Sequence, residues 1–412
     1  MGRNAQPTRT AATRCGQCAV LLASLLLAAC TGLPLAPGNS AAATAALYAD
    51  AQFADTRDAA AIVAAESAAL FTLSAAMQQF IDAQVEPQVR RKGPSQALLD
   101  ALYHQGRLGI VYDASRTRNA AQTFEARAGN CMSLVVMTSA IAKALGLDVT
   151  YQSAAVDDAW ARSGDLLLIS GHVNLTLGRR MGNRIGGLEG QSLTVDFLPP
   201  EQLRGLRTQA IDESRVRAMF LNNRAAEALL KSEGQATASG ATEAYWWARA
   251  AVAADPDFAP AVNTLGVVYL RHGLLTRADA VFEALLARSP DDLRALGNRI
   301  LVLQRLGRDG EATLLQARLA RIEPEPPLHH FDRGRAALDR GELRLARDMF
   351  RRELGRGGDS AEVHHWLALA LHRLGDEALA LKHLALAVEH SRSRGEHELY
   401  SAKLSWMRAV RP

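Results

Sequence analysis

The chain has 412 residues, 48% of them apolar, and a formal net charge of +4. This length accommodates more than one domain. Three of the 47 basic residues and none of the 43 acidic residues precede residue 30, so the remainder carries 44 basic against 43 acidic side chains. Because a chain this balanced lacks a basic field, we expect no nucleic-acid partner.

The first 29 residues have the pattern of an export signal. Three arginines precede an apolar run at 19–27 that is too short to span a membrane as a mature helix. The run ends in Leu27-Ala28-Ala29-Cys30, which resembles the bacterial lipobox. This resemblance implies that residues 1–29 are removed and that Cys30 carries the lipid, while Thr31 favours the outer membrane. An ordinary cleaved signal and an uncleaved anchor are the alternatives.

The cysteine count singles out one thiol. Cys15 and Cys18 have a redox or metal spacing, but they precede the apolar core of the signal without a strand–helix context, so we expect neither role. Removal of the signal and lipidation of Cys30 leave Cys131 as the only free thiol. An internal disulfide is then impossible. We also expect no metal and no cofactor, since no acidic loop of the calcium-binding type occurs.

The segment that follows predicts a tether and a helical scaffold. Residues 30–46, rich in Ala, Gly and Pro, read as a flexible lipidated tether. The alanine-rich stretch from residue 47 predicts helices, with Ser74 as the N-cap of one and Ser95 as the N-cap of another. Pro87 and Gly93-Pro94 are predicted to interrupt the helical run between them.

The chain changes character near Gly129-Asn130. This turn predicts a helix over 131–145 that ends at Gly146 and buries the face of Leu134, Met137, Ile141 and Leu145. Three strand-like segments follow, joined by loops rather than by helices, at 149–153, 166–177 and 193–197. We therefore predict an antiparallel sheet packed against the cysteine helix, an α+β arrangement.

Cys131, His172 and Asp196 form a candidate catalytic triad. A helix N-terminus and an imidazolium both favour the thiolate, which is the nucleophile of thiol chemistry. Strand alternation places His172 on a polar face with Asn174, and it places Asp196 on a polar face with Thr194. Asp196 would fix the tautomer of His172, and His172 would activate Cys131.

Each of these residues also has a structural interpretation. Cys131 resembles a small buried hydrophobe, His172 could bond a loop, and Asp196 before two prolines could be a turn residue. The competing histidine, His104, lies on the scaffold and is expected at the surface. Trp160 is expected to pack in a loop or the core rather than to line a cleft. Asn174 either orients the site or satisfies a neighbouring strand.

The motifs around these residues resemble a known family. Gly129-Asn130-Cys131-Met132-Ser133-Leu134, Gly171-His172-Val173-Asn174 and Val195-Asp196-Phe197-Leu198-Pro199 are similar to the bacterial transglutaminase-like superfamily, which is papain-like in fold. The resemblance implies that Cys131, His172 and Asp196 are its catalytic residues. An aromatic residue often follows the histidine in the family, whereas Val173 stands here. A related group replaces the cysteine by proline.

The last part of the chain is repetitive. Glycines, alanines and prolines recur at steps of 34 residues, at Gly273, Gly307, Gly341 and Gly375, at Ala244, Ala278, Ala312, Ala346 and Ala380, and at Pro256, Pro290 and Pro324. This period and the order of residues in one repeat, from Leu265-Gly266 to Pro290, have the tetratricopeptide pattern. The repeat predicts pairs of helices that stack into an all-α superhelix with a concave face.

The sequence thus predicts a transglutaminase-like cysteine domain over 47–225 and a tetratricopeptide array over 226–412. We expect a thiol-dependent acyl-transfer enzyme, a peptidase or amidohydrolase rather than a cross-linking enzyme. It would be an outer-membrane lipoprotein facing the periplasm, anchored through Cys30, with repeats that recruit a protein or peptide. The alternative is a non-catalytic repeat scaffold with a degenerate thiol domain. A third interpretation is a redox-sensing thiol.

Overall fold

The computed structural model of the protein describes residues 44–104, 108–155, 160–163, 166–169, 172–178, 192–197, 207–233, 238–325, 328–356, 360–391 and 394–409. The predicted signal peptide, Cys30 and most of the predicted tether lie outside the described residues. Within these ranges, no helix is both long enough and apolar enough to cross a membrane.

The front of the described chain is helical, as predicted. A 3₁₀ turn at Asp50–Thr56 leads to four helices, namely α1 (Arg57–Ala68), α2 (Ala75–Phe80), α3 (Glu86–Lys92) and α4 (Pro94–Leu99). A π-helical turn at Ile81–Val85 continues α2 into α3. The predicted interruption is therefore wrong at Pro87 and confirmed at Gly93-Pro94, since α3 ends at Lys92 and α4 begins at Pro94. Pro87 lies in the first turn of α3, where its missing N–H costs no intrahelical bond.

The two predicted caps of this scaffold have different outcomes. The hydroxyl of Ser74 accepts the N–H of Met77 at 3.2 Å, so Ser74 is the N-cap of α2. The prediction for Ser95 is wrong, because Pro94 is already the first helical residue and Gly93 is the N-cap. Gly93 has a φ of +79°, which glycine adopts without steric cost. A proline with its fixed φ thus starts the helix one residue before Ser95.

The middle of the described chain mixes strands and helices. In chain order its elements are β1 (Val111–Tyr112), α5 (Ala120–Ala126), β2 (Ala128–Gly129), α6 (Cys131–Ala144), β3 (Asp148–Ala155), β4 (Trp160–Ser163), β5 (Leu166–Ile169), β6 (His172–Gly178), β7 (Leu193–Val195) and β8 (Arg207–Ile211). Strands β3, β6, β7 and β8 form one antiparallel sheet in the order β7-β6-β3-β8. The segment predicted as one strand at 166–177 consists of two strands, β5 and β6.

Helix α6 packs on β3 and β6 and is more deeply buried than its pattern predicts. Every residue from Met132 to Ala142 is buried, including the polar Ser133, Thr138 and Ser139. The helix ends as expected, because Gly146 has a φ of +72° just beyond its C-cap. The sheet covers one side of α6 and the front helices cover the rest, which fixes the helix that begins at Cys131.

The remainder of the described chain is entirely helical. Its helices are α7 (Glu213–Glu233), α8 (Ala238–Ala254), α9 (Ala259–Arg271), α10 (Leu275–Arg288), α11 (Leu293–Arg305), α12 (Asp309–Ile322), α13 (His329–Asp339), α14 (Leu343–Gly355), α15 (Ala361–Arg373), α16 (Glu377–Glu389) and α17 (Arg394–Ala409). Extensive contacts join the two helices of each pair, α9 with α10, α11 with α12, α13 with α14 and α15 with α16. The boundary predicted between residues 225 and 226 lies inside α7.

The residues of the 34-residue pattern have the expected structural roles. Gly273, Gly307, Gly341 and Gly375 all have φ between +71° and +80° in the turns between paired helices. A Cβ on Gly266 would lie 2.6 Å from the ring of Phe282, and a Cβ on Gly334 would lie 2.6 Å from the ring of Phe350. The in-phase alanines are buried. Small residues thus permit the close approach of the two helices in each pair.

The segment that precedes α1 packs against the repeat helices. The ring of Phe53 stacks on Tyr245 at a centroid distance of 3.9 Å and lies 4.7 Å from the ring of His272. Tyr269 donates its hydroxyl to the carbonyl of Leu47 at 2.7 Å. The hydrophobic core is therefore continuous from the front scaffold into the first repeat helices.

Candidate active site

Cys131 occupies the first position of α6. Its N-cap is Asn130, whose Oδ1 accepts the backbone N–H of Ser133 at 3.0 Å and the hydroxyl of Ser133 at 2.8 Å. Gly129 is needed before this cap, since an added Cβ would lie 2.6 Å from the Cβ of Ser133. The turn therefore places the half-buried thiol at the positive end of the helix dipole.

His172 and Asp196 meet across the strands β6 and β7. Nε2 of His172 lies 2.7 Å from Oδ1 of Asp196. The register explains the contact: Leu175 pairs with Val195, so the next residue of that strand, Asp196, comes alongside the start of β6. Both side chains are buried, with exposures of 3% for His172 and 8% for Asp196. A buried carboxylate that accepts from a ring nitrogen fixes the orientation and tautomer of the imidazole.

The thiol of Cys131 lies on the other side of this imidazole. Burial by itself would lower the pKa of His172, but hydrogen bonding and negative charge from Asp196 and Cys131 outweigh burial and raise that pKa to about 9. Because Asp196 takes Nε2, Nδ1 is the nitrogen left for the sulfur. The three residues predicted from the sequence are thus brought together around the imidazole of His172.

Asn174 contacts the same carboxylate. Its Nδ2 donates to Oδ2 of Asp196 at 2.7 Å, and Asn174 is itself buried. Both oxygens of Asp196 are therefore engaged, one by the imidazole and the other by an amide. Because Asn174 lies opposite Asp196 where β6 pairs with β7, this one contact both reaches the site and joins cross-strand neighbours. The polar face of β6 is buried at His172 and Asn174, and it is partly exposed only at Thr176.

Two other sequence predictions are only partly described. Trp160 begins β4, but its side chain lies outside the described residues, as do Gly171 and the side chain of His104. The prediction that Trp160 packs in a loop or the core therefore stays a prediction. Within the described ranges, no group of three or more His, Cys, Asp or Glu side chains is arranged to hold a metal ion.

A cavity of about 840 Å³ in the described part of the chain is not lined by the thiol of Cys131. Its lining comes from α2, α5 and the residues beside them, and it includes Ser74, Phe80, Leu108, Phe124 and Arg127. None of the three triad residues lines it.

Sequence reasoning missed the contacts that hold the start of α6. Asn130 donates its Nδ2 to the hydroxyl of Thr117 at 2.8 Å, and Arg118 donates its backbone N–H to the hydroxyl of Ser133 at 2.9 Å. Thr117 is 1% exposed. No signal in the sequence points to this contact, because the burial that makes the hydroxyl of Thr117 require a partner is visible only in the tertiary structure.

Comparison with known proteins identifies the repeats. The tetratricopeptide repeat model matches residues 247–292, 263–325 and 331–395. The C-terminal part of the chain is thus an array of tetratricopeptide repeats, as the 34-residue period predicts. No curated protein matches the chain.

Solved structures of repeat proteins resemble the same region. A tetratricopeptide repeat protein of Thermus thermophilus is 20% identical over 44% of this chain and 99% of its own, with a TM-score of 0.28. YrrB, described as having an unusual peptide-binding site, is 18% identical over 44% of this chain and 91% of its own, with a TM-score of 0.22. A repeat protein of Parabacteroides merdae is 13% identical over 47% of this chain and 73% of its own, with a TM-score of 0.27.

Proposed function

We propose that the α+β part of the chain is a thiol-dependent acyl-transfer centre of the transglutaminase-like, papain-like type. The observation that carries this proposal is the position of His172 between Cys131 and Asp196. The proposed reaction begins with attack of the Cys131 thiolate on the carbonyl carbon of an amide. His172 gives its proton to the leaving amine, and a thioester on Cys131 remains.

The second half of the proposed reaction releases the acyl group. A water molecule gives a proton to the neutral His172 and attacks the thioester carbon, so that a carboxylic acid leaves and the thiolate returns. An amine in place of water would give transfer instead of hydrolysis. We favour a peptidase or amidohydrolase, because water is abundant and no residue of the described site specifies an amine. Asp196 holds the imidazole of His172 in one orientation through both halves of the reaction.

The tetratricopeptide repeats support a second candidate function. Such repeats present extended surfaces to proteins or peptides, and the family match falls entirely on them. In this alternative the chain is a protein-interaction scaffold and the thiol domain is catalytically silent. The comparisons with known proteins favour this alternative, whereas the geometry around Cys131 favours the catalytic one. In the catalytic case the repeats would recruit the substrate or a protein partner.

Alkylation of Cys131 separates the two candidates. Purified protein is treated with iodoacetamide from pH 5 to pH 9, and modification of Cys131 is followed by mass spectrometry. In the catalytic case the wild-type thiol reacts at pH 6 at least about tenfold faster than the thiol of His172→Gln, because the imidazolium holds a thiolate at that pH. Equal alkylation rates in the two proteins at every pH would contradict the catalytic function, and the scaffold would be the remaining candidate. Equal alkylation rates in the two proteins that change when the protein has first been treated with an oxidant would favour a redox sensor.

We also propose that the protein is held at the bacterial outer membrane, facing the periplasm, by a lipid on Cys30. The Leu27-Ala28-Ala29-Cys30 motif supports this location. Cells grown with an alkyne palmitate should label the wild-type chain and should not label Cys30→Ser. Label on the Cys30→Ser protein, or an unlabelled wild-type protein, would contradict the lipid anchor.

A further inference from the structure

We propose that α7, the helix that precedes the residues matched by the repeat model, positions the nucleophile through Thr117. The inference rests on the proposed function, since it concerns the geometry of Cys131 as a nucleophile. It assigns a positioning role to Thr117, Arg224 and Glu227, none of which belongs to the triad.

Helix α7 holds the backbone of Thr117 from both sides. Oε1 of Glu227 accepts the N–H of Thr117 at 2.6 Å, and Nη1 of Arg224 donates to the carbonyl of Thr117 at 3.0 Å. Both bonds involve a charged group, which makes them stronger than bonds between neutral partners. One residue of a loop thus has its donor and its acceptor fixed by two side chains that are one helical turn apart.

The side chain of Thr117 transmits this position to the cysteine helix. Its Oγ1 accepts Nδ2 of Asn130 at 2.8 Å. An amide held by its nitrogen has a defined orientation, so the Oδ1 of Asn130 faces the N–H of Ser133. That bond caps the first turn of α6, in which Cys131 is the first residue. The orientation of the thiol toward His172 therefore depends on the hydroxyl of Thr117.

The charged pair on α7 is buried in a way that stability alone does not explain. The side chains of Arg224 and Glu227 are 13% and 17% exposed, and their closest N···O distance is 3.6 Å. Nε of Arg224 and Oε2 of Glu227 have no hydrogen-bond partner among the described residues. Arg224 also lies over the ring of Trp247 on α8, 4.9 Å from its centroid. Burial of such a pair is costly, and apolar residues in its place are often at least as stable.

The free-energy cost of burying Arg224 and Glu227 is consistent with a role in fixing the position of Thr117. Apolar side chains could fill this space, but they could not hold the N–H and the carbonyl of Thr117 at once. Chemical steps are sensitive to displacements of the reacting atoms of about 1 Å. Helix α7, which precedes the matched repeats and packs on α8 through Arg224 and Trp247, thus contributes to the thiol site without touching the triad.

Substitution of Thr117 tests the link to the thiol. Thr117→Val has nearly the same shape and keeps both backbone bonds to α7, but it cannot accept from Asn130. Thr117→Ser keeps the hydroxyl and is the matched control. We expect the alkylation rate of Cys131 at pH 6 to fall by about three- to tenfold in Thr117→Val, with its pH midpoint displaced upward, and to stay near wild type in Thr117→Ser.

Substitutions on α7 test whether this helix holds the start of α6 in place through Thr117. Arg224→Ala removes a bond to Thr117, whereas Arg215→Ala removes an arginine of the same helix that pairs with Asp255 instead. We expect hydrogen exchange in a peptide that contains Ser133 and Leu134 to accelerate at least about threefold in Arg224→Ala and to stay unchanged in Arg215→Ala. Glu227→Gln, which keeps an acceptor oxygen, should accelerate exchange less than Glu227→Ala.

The exchange measurement does not depend on catalysis. A wild-type thiol that proves inert to alkylation would defeat the proposed function, and exchange in the variants would still report on the contacts of Thr117 with α7. The positioning role is overturned if Thr117→Val and Thr117→Ser have the same exchange near Ser133, or if Arg224→Ala and Arg215→Ala have the same exchange there.

Discussion

His172 and Asp196 lie 24 residues apart in sequence, yet Nε2 of one is 2.7 Å from Oδ1 of the other. The contact follows from the antiparallel pairing of β6 with β7, which brings the end of one strand beside the start of the other. It fixes which nitrogen of the imidazole faces the carboxylate and which nitrogen is left for Cys131. The pKa of His172 and the pH dependence of the free energy of unfolding both depend on this contact.

Removal of the carboxylate should lower the pKa of His172. Asp196 raises that pKa through a hydrogen bond and through its charge, so in Asp196→Ala we expect the pKa to fall from about 9 toward the ordinary value of 6.5. Titration of isotopically labelled histidine by NMR measures the change. Thr194→Ala is the control, because Thr194 bonds the hydroxyl of Thr176 rather than the imidazole. An unchanged pKa in Asp196→Ala would contradict the assigned contact.

The charged form of His172 should stabilise the fold in a defined pH range. Its pKa is raised from 6.5 to about 9 on folding, so the stabilisation is complete below about pH 6.5 and is lost as the pH rises through 9. The free energy of unfolding should therefore decrease relative to His172→Gln by at most about 3 kcal/mol over this range. Urea denaturation at pH 6, 8 and 10 measures it. A difference between the two proteins that does not vary with pH would refute the prediction.

Phe53 should be important for stability although it precedes the first long helix. Its ring is 2% exposed and stacks on Tyr245 of α8. Phe53→Ala would leave a cavity between the front segment and the repeats, and we expect a loss of about 3 to 5 kcal/mol in the free energy of unfolding. Chemical denaturation measures it, with the exposed neighbour Gln52→Ala as the control. Similar losses in both variants would show that the stacked ring is not the source.

The repeat glycines should differ in their tolerance of alanine. In Gly266→Ala the new methyl group would lie 2.6 Å from the ring of Phe282, so we expect a loss of about 1 to 3 kcal/mol from overpacking. In Gly297→Ala, inside α11, nothing lies within 4 Å of the new methyl group. There we expect a gain of about 0.5 to 1 kcal/mol, since alanine favours a helix interior. Thermal denaturation of the two variants compares them directly, and equal effects would count against close helix approach at Gly266.

The repeats were predictable from the sequence because their determinants are local. A turn between paired helices needs a positive φ, and a close helix approach needs a small residue, so both recur at 34-residue steps. The start of α6 was predictable for the same reason, since Gly129 and Asn130 act within a few residues of Cys131. The alternation of β6 likewise indicated that His172 and Asn174 share a face.

Other features leave no periodic trace. Strand β8 was not predicted, although it pairs with β3 in the sheet. The packing of Phe53 on Tyr245 joins a residue that precedes α1 to a residue of α8, far along the chain. Thr117 is held by residues more than 100 positions away. Such contacts depend on how complete elements pack, so the residue types on either side do not reveal them.

The sequence by itself determined the repeat architecture, the helix that begins at Cys131 and the identity of the three candidate catalytic residues, because these follow from turn chemistry, side-chain periodicity and motif order. Only the tertiary structure decided how these residues meet. Strand register brought Asp196 to His172 and Asn174, and the packing of α7 against the loop at Thr117 fixed the cap of the cysteine helix. Local preferences specify elements, whereas the burial of their faces against one another specifies the distances between side chains.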